Sequence, residues 1–167
     1  MFVRSECGTS VAGLGLSMQD EDQIQFNRRV NDRVSRRYER LHGEIFNPVE
    51  QQRLRDALNV AINAIKTGSK PLKALDYGCG SGNLTKHLID LGIHTVSADI
   101  SEGFLALIER NFSQTDLSEV LTVNGRDLSN VPGGRFDLVA TYSVLHHVPD
   151  YLRIVQEMCR EIGRAHV

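Results

Sequence analysis

The chain has 167 residues, 41% of them hydrophobic and 24% charged, with a formal net charge of −2. That is one domain by size, apolar enough for a sizeable core and too balanced in charge to mark a nucleic-acid binder. No apolar run approaches the roughly 18 residues that cross a bilayer as a helix, so no membrane partner is expected.

Residues 1–20 carry a lone Arg4 and a short glycine-broken stretch, Val11 to Leu16, which falls short of a signal peptide. They are expected to form a disordered lead-in, with Met18 a candidate start. Cys7, Cys79 and Cys159 are odd in number and lack metal-ligand spacing. Reduced thiols, a cytoplasmic location and no metal site are therefore expected.

From Glu21 to Leu41, the residues Ile24, Val30, Val34, Tyr38 and Leu41 make an approximate helical stripe. Arginines at 28, 29, 33, 36, 37 and 40, interleaved with Asp32 and Glu39, read as its solvated face. Asn47-Pro48-Val49-Glu50 predicts a second helix start, with asparagine as N-cap, proline first and glutamate reaching back from the third position. Leu54, Leu58, Ala61, Ile62 and Ile65 carry that helix toward Gly68, which should stop it. Residues 21–68 thus form a helical segment ahead of the first strand.

From residue 69 to 160 strands and helices alternate. Leu72 to Tyr77, His94 to Asp99, Val120 to Asn124 and Phe136 to Tyr142 read as strands. Asn83 to Leu91, closed by Gly92, and Glu102 to Phe112 read as helices between them. A last amphipathic helix begins within Pro149 to Arg160, with Leu152, Val155, Met158 and Cys159 expected on its inner side. Such alternation predicts an α/β fold with a Rossmann-like parallel sheet and helices on both faces.

The most informative stretch is Asp76-Tyr77-Gly78-Cys79-Gly80-Ser81-Gly82-Asn83, where a buried strand ends in an acidic residue and turns through three glycines into a helix. Glycine lets backbone approach a ligand closely and supplies the positive φ such turns use. A dinucleotide fingerprint would need glycine or alanine at position 83, where Asn83 stands.

This acidic-x-G-x-G-x-G loop, Asp99 at the end of Thr95-Val96-Ser97-Ala98-Asp99, the stretch Asn124-Gly125-Arg126-Asp127-Leu128 and the run Phe136 to Val148 together resemble the class I S-adenosylmethionine (SAM) dependent methyltransferases, of the type 11/12/25-like domain. The resemblance implies that Asp76, Gly78, Cys79, Gly80 and Gly82 lie at the methionine part of SAM. It implies that Asp99 takes the ribose hydroxyls with Ile100 beside it. Asp127 would accept the adenine amino group with Leu128 alongside, and Ser143 would complete the cofactor-binding set. Cys79 is expected only as a small side chain. Adjacent His146 and His147 point different ways after a strand, so at most one faces a substrate; they are the candidates for proton transfer, against packing or capping roles.

In similar methyltransferases the helices before the first strand form a lid, so residues 21–68 are read as a lid or cap, the alternative being simple packing on the sheet. Tyr38, His42 and Phe46 suit a lid. The family's fold needs further strands after the fourth, and Glu161 to Val167 resemble a translated sequencing adapter. The chain is therefore expected to be C-terminally truncated with a non-native tail at 161–167. The expected activity is methyl transfer from SAM to a small-molecule acceptor by in-line displacement. The alternatives are a non-catalytic SAM or nucleotide-binding fragment and an NAD-dependent oxidoreductase.

Overall fold

Ser17 caps the first helix: its hydroxyl accepts from the Asp20 amide while the Asp20 carboxylate accepts from the Ser17 amide, a reciprocal capping box. The computed structural model describes residues 17–65, 71–131 and 135–162. Most of the expected lead-in, Gly68 and residues 163–167 lie outside that set. Helix α1 spans Met18–Val34 and so begins before the expected boundary at residue 21. It does not run on to Leu41. The Ser35 hydroxyl donates to the Asp32 carbonyl at 3.2 Å, the chain tightens into a 3-10 turn over Ser35–Arg37, and α2 (Tyr38–Leu41) follows.

Helix α3 (Pro48–Ala64) starts where Asn47-Pro48 predicts, with the Asn47 side chain accepting from the amides of Val49 and Glu50. Glu50 does not reach back to complete a box. Its carboxylate pairs instead with Arg53 at 2.7 Å and lies 3.5 Å from the Tyr142 hydroxyl.

Strands β1 (Lys73–Tyr77), β2 (His94–Asp99), β3 (Ser118–Thr122) and β4 (Leu138–Ala140) form one parallel sheet in the order β3-β2-β1-β4. Helices α4 (Asn83–Asp90) and α5 (Glu102–Asn111) make the crossovers, and α6 (Tyr151–Glu161) follows β4. Strand β3 sits two residues earlier than expected because its register pairs Asp99 with Thr122, which sends Val123 and Asn124 into the loop at the carboxyl edge. Strand β4 is shorter than expected, since only Leu138 to Ala140 meet β1; Phe136 bridges to Ile162 instead.

Side chains from the two sheet faces enter separate cores, as strands buried on both sides require. Leu75, Val96 and Val139 pack with Ile154 and Met158 of α6 on one face, and Ala74, Leu138 and Ala140 pack with Leu58 and Ala61 of α3 and Leu88 of α4 on the other. The inner face of α6 differs from expectation. Asp150 caps the helix through the Arg153 amide; Met158 faces inward as expected, but Ile154 and Glu161 join it there and Leu152 is 62% exposed. Glu161 and Ile162, expected in the tail, close α6 and pair with Phe136. Of the cysteines expected as reduced thiols, Cys79 is free and buried, and Cys7 lies outside the described residues. No helix among the described residues is long and apolar enough to cross a membrane.

Candidate cofactor and substrate site

A parallel sheet leaves a crevice at the carboxyl ends of its strands, and here that crevice is a cavity of about 340 Å³. Its floor is the turn after β1, its walls are the ends of β2 and β4, and its roof is α1 with the segment that follows. Helix α1 crosses the whole carboxyl edge. It reaches the loop after β3 through a Glu21–Arg126 ion pair, the loop after β4 through the Asn27 amide donating to the His147 carbonyl at 3.0 Å, and the loop after β2 through Asp32.

The floor is shaped by the amides of Gly78 and Cys79, which both donate to the Ala98 carbonyl at the end of β2. Gly80 adopts φ +52°, and an added Cβ would meet nothing within 4 Å, so a backbone cradle faces open space. Gly78 has the opposite constraint: a Cβ there would lie 2.5 Å from Val144. Gly82 starts α4 and backs onto Ile108, away from the cavity.

Asp99 is the buried carboxyl group of the site. Its carboxylate accepts from the Gly80 amide at 3.0 Å and the Ser101 amide at 2.9 Å, and it lies on the cavity wall. Burial raises its pKa, and the amides of Ser101, Gly80 and Ile100 pull in the opposite direction. Two donors leave lone pairs on both oxygens for a ligand. Ser81 and Asn83 line the same cavity, and their Oγ and Nδ2 atoms are buried with no hydrogen-bond partner in the protein. Buried polar atoms without partners are rare in folded chains, and these two belong to residues at the cavity edge.

The other expected site residues separate into three groups. Cys79, Ile100, Ser143 and His147 line the cavity. Ser143 does so at φ +56°, which sparsely populated backbone regions show most often at functional sites. Asp76 lies beneath the floor: it is fully enclosed, it accepts from the Thr85 hydroxyl at 2.7 Å, and burial pushes its carboxyl up to about 7. Asp127 and Leu128 are off the wall, against expectation. The Asp127 carboxylate is engaged by Ser129, Asn124 and the Arg153 guanidinium at 3.1 Å, a set led by the Ser129 bond that lowers its pKa, and Leu128 is wholly in the core.

Of the paired histidines, His147 lines the cavity and His146 does not, although their rings lie 4.0 Å apart. Burial, and then the neighbouring His146, lowers the His147 pKa, which keeps its ring neutral near pH 7. Tyr38, His42 and Phe46 do reach the cavity, joined by ring contacts from Tyr38 to His42 at 4.3 Å and to Phe104 at 5.2 Å. Asn27, Asn31 and Tyr142 also line it, and no sequence signal singles them out. Their common feature is position on one side of α1 or at the end of β4, which only the folded chain reveals. Among the described residues no group of His, Cys, Asp and Glu could hold a metal ion.

A family model described as a methyltransferase domain matches residues 75–162, just over half of the chain. The ubiquinone biosynthesis O-methyltransferase of Methylococcus capsulatus is 33% identical over 89 residues, covering 53% of this chain and 38% of that protein. The protein of the same name from Bartonella quintana is 27% identical over 147 residues, covering 80% of this chain and 58% of that one. The chain therefore spans less than two thirds of these relatives' length. Among solved structures, the Haloferax volcanii complex of the Trm112 methyltransferase activator with a methyltransferase matches with a TM-score of 0.57 at 19% identity, over 80% of this chain and 55% of that one. A methyltransferase of Bacillus halodurans matches with a TM-score of 0.56 at 19% identity, over 66% of this chain and 46% of that one. These likenesses show the same fold, and the family match bears out the resemblance carried by the glycine loop: the chain belongs to the methyltransferase domain family.

Proposed function

We propose that this chain forms the SAM-binding part, with its covering helices, of a methyltransferase that acts on the hydroxyl of a small molecule. The observation that carries the reading is Asp99, a buried carboxylate held by two backbone amides on the wall of a cavity whose floor is a glycine cradle. SAM fits the residues present. Asp99 would take the ribose hydroxyls, the open backbone at Gly80 would lie against the methionine part, and Ser81 and Asn83 on the cavity lining would flank its polar end.

When bound, SAM supplies a methyl group on a cationic sulfur that departs as a neutral thioether. The protein's task is then mainly alignment and exclusion of water, and orientation alone can lower such a barrier by roughly 7–11 kcal/mol. The roof is suited to both tasks. Ile24, Val30, Val34, Leu41, Ile45 and Phe46 give it an apolar surface that would seat the body of an acceptor and exclude water. Oxygen as the accepting atom follows the relatives named as O-methyltransferases. A neutral His147 on the wall could receive the hydroxyl proton.

The reading is tested by incubating the chain with methyl-labelled SAM and a panel of small hydroxylated, amino and thiol aromatics. Label on a hydroxyl oxygen is the expected result. Label on nitrogen, sulfur or carbon would overturn the oxygen assignment, and binding of SAM without transfer to any acceptor would favour a non-catalytic binding module.

A further inference from the structure

The hydroxyl of Ser101 donates to the Asp32 carboxylate at 2.6 Å, and the Gly103 amide donates to the same oxygen at 3.1 Å. Asp32 stands on α1, in the roof, and Ser101 is the N-cap of α5, whose Oγ accepts from the Phe104 amide. The Ser101 amide donates to Asp99, and Asp99 in turn accepts from the Gly80 amide. One unbroken line of hydrogen bonds therefore joins roof, α5, the buried carboxylate and the glycine floor. Packing supports the same contact: a Cβ on Gly103 would lie 3.0 Å from Ser35 Oγ and 3.2 Å from the Asp32 Cα, so a larger residue would hold α1 away. The Asp32 charge also sits at the N-terminal end of α5, where the helix dipole favours it.

We propose that Asp32 is a positioning residue: it latches α1 over the cavity and, through Ser101, fixes the orientation of Asp99 and the Gly80 loop. It touches no ligand itself. Because the chain of bonds passes through Asp99, occupancy of the cavity and docking of α1 support each other, and by linkage each strengthens the other by the same factor. The latch rests on the proposed SAM site for its ligand half, while its structural half stands on the bonds alone.

The test uses the full chain with Asp32→Ala, and with Asp32→Asn, which keeps an oxygen acceptor for Ser101 and Gly103. Hydrogen exchange is followed without ligand, and S-adenosylhomocysteine, the demethylated product of SAM, is titrated. Asp32→Ala is expected to raise exchange at α1, Ser101 and Gly80 while core strands stay protected, and to weaken the ligand by about tenfold, chiefly through faster dissociation. Asp32→Asn should recover to within about threefold. Unchanged exchange at α1 and Gly80 together with unchanged ligand dissociation in Asp32→Ala would overturn the latch. If the unaltered chain binds no S-adenosylhomocysteine, the SAM reading falls and the exchange data still decide the latch. If Asp32→Ala fails to fold, Gly103→Ala decides it, because the added methyl should loosen the same amides without removing a charge.

Discussion

The amide of Gly80 donates to the carboxylate of Asp99 at 3.0 Å, joining the turn after β1 to the end of β2 across 19 residues of sequence. The bond fixes the floor of the cavity and holds one oxygen of its buried carboxyl group, so neither element can be changed alone.

Replacing Asp99 by alanine should lower affinity for S-adenosylhomocysteine by about 100-fold or more, since two charge-assisted hydrogen bonds to a ligand are lost at about 1.5–3 kcal/mol each. Calorimetric titration measures this directly. The Gly80 and Ser101 amides lose their acceptor in the same variant, so faster exchange at both should accompany the loss.

Gly80→Arg should abolish binding while the chain still folds. The added side chain projects into the open cradle, and the left-handed backbone at φ +52° costs roughly 1–2 kcal/mol for a residue with a Cβ. Affinity within threefold of the unaltered chain would show that the cradle is not the ligand site.

Asp76 makes stability depend on pH. Burial raises its folded pKa from 3.8 to about 7, so the folded state holds a proton that the unfolded state has released. Its destabilising effect is absent below about pH 4, grows as pH rises from there to about 7, and is complete above; it amounts to a few kcal/mol at most. Asp99, raised by burial as well, steepens the same slope. Asp76→Asn keeps an acceptor for Thr85 and should match the unaltered chain in urea unfolding at low pH but exceed it at pH 8. Equal stability at both pH values would mean that Asp76 ionises freely in the folded chain.

Much of this was legible in the sequence because it depends on local chemistry. The glycine spacing, the strand ending at Asp99 and the cap at Asn47 follow from rules that act within a few residues. What sequence did not reveal depends on long-range packing. The phase of α6 is set by the packing of Ile154 and Met158 against Leu75 and Val139 of the sheet, so Leu152 faces solvent although it is as apolar as Ile154. Asp127 follows β3 as the sequence suggests, but its ion pair with Arg153, 26 residues on, is visible only in the folded chain. Asp32 read as one acid among arginines, and only the folded chain places it on Ser101.

The α6 phase has its own test. Ile154→Ala should cost about 2–5 kcal/mol in denaturant unfolding, whereas Leu152→Ala should change stability by no more than about 0.5 kcal/mol. A reversed order would place Leu152 on the inner face.

The central claim is that the cavity takes SAM. Isothermal titration of the chain with SAM, S-adenosylhomocysteine and NAD under identical conditions tests it most directly. The account predicts saturable binding of SAM and S-adenosylhomocysteine, with NAD at least tenfold weaker, and loss of the first two in Asp99→Ala. Tighter binding of NAD than of SAM, or SAM binding that survives Asp99→Ala unchanged, would contradict it.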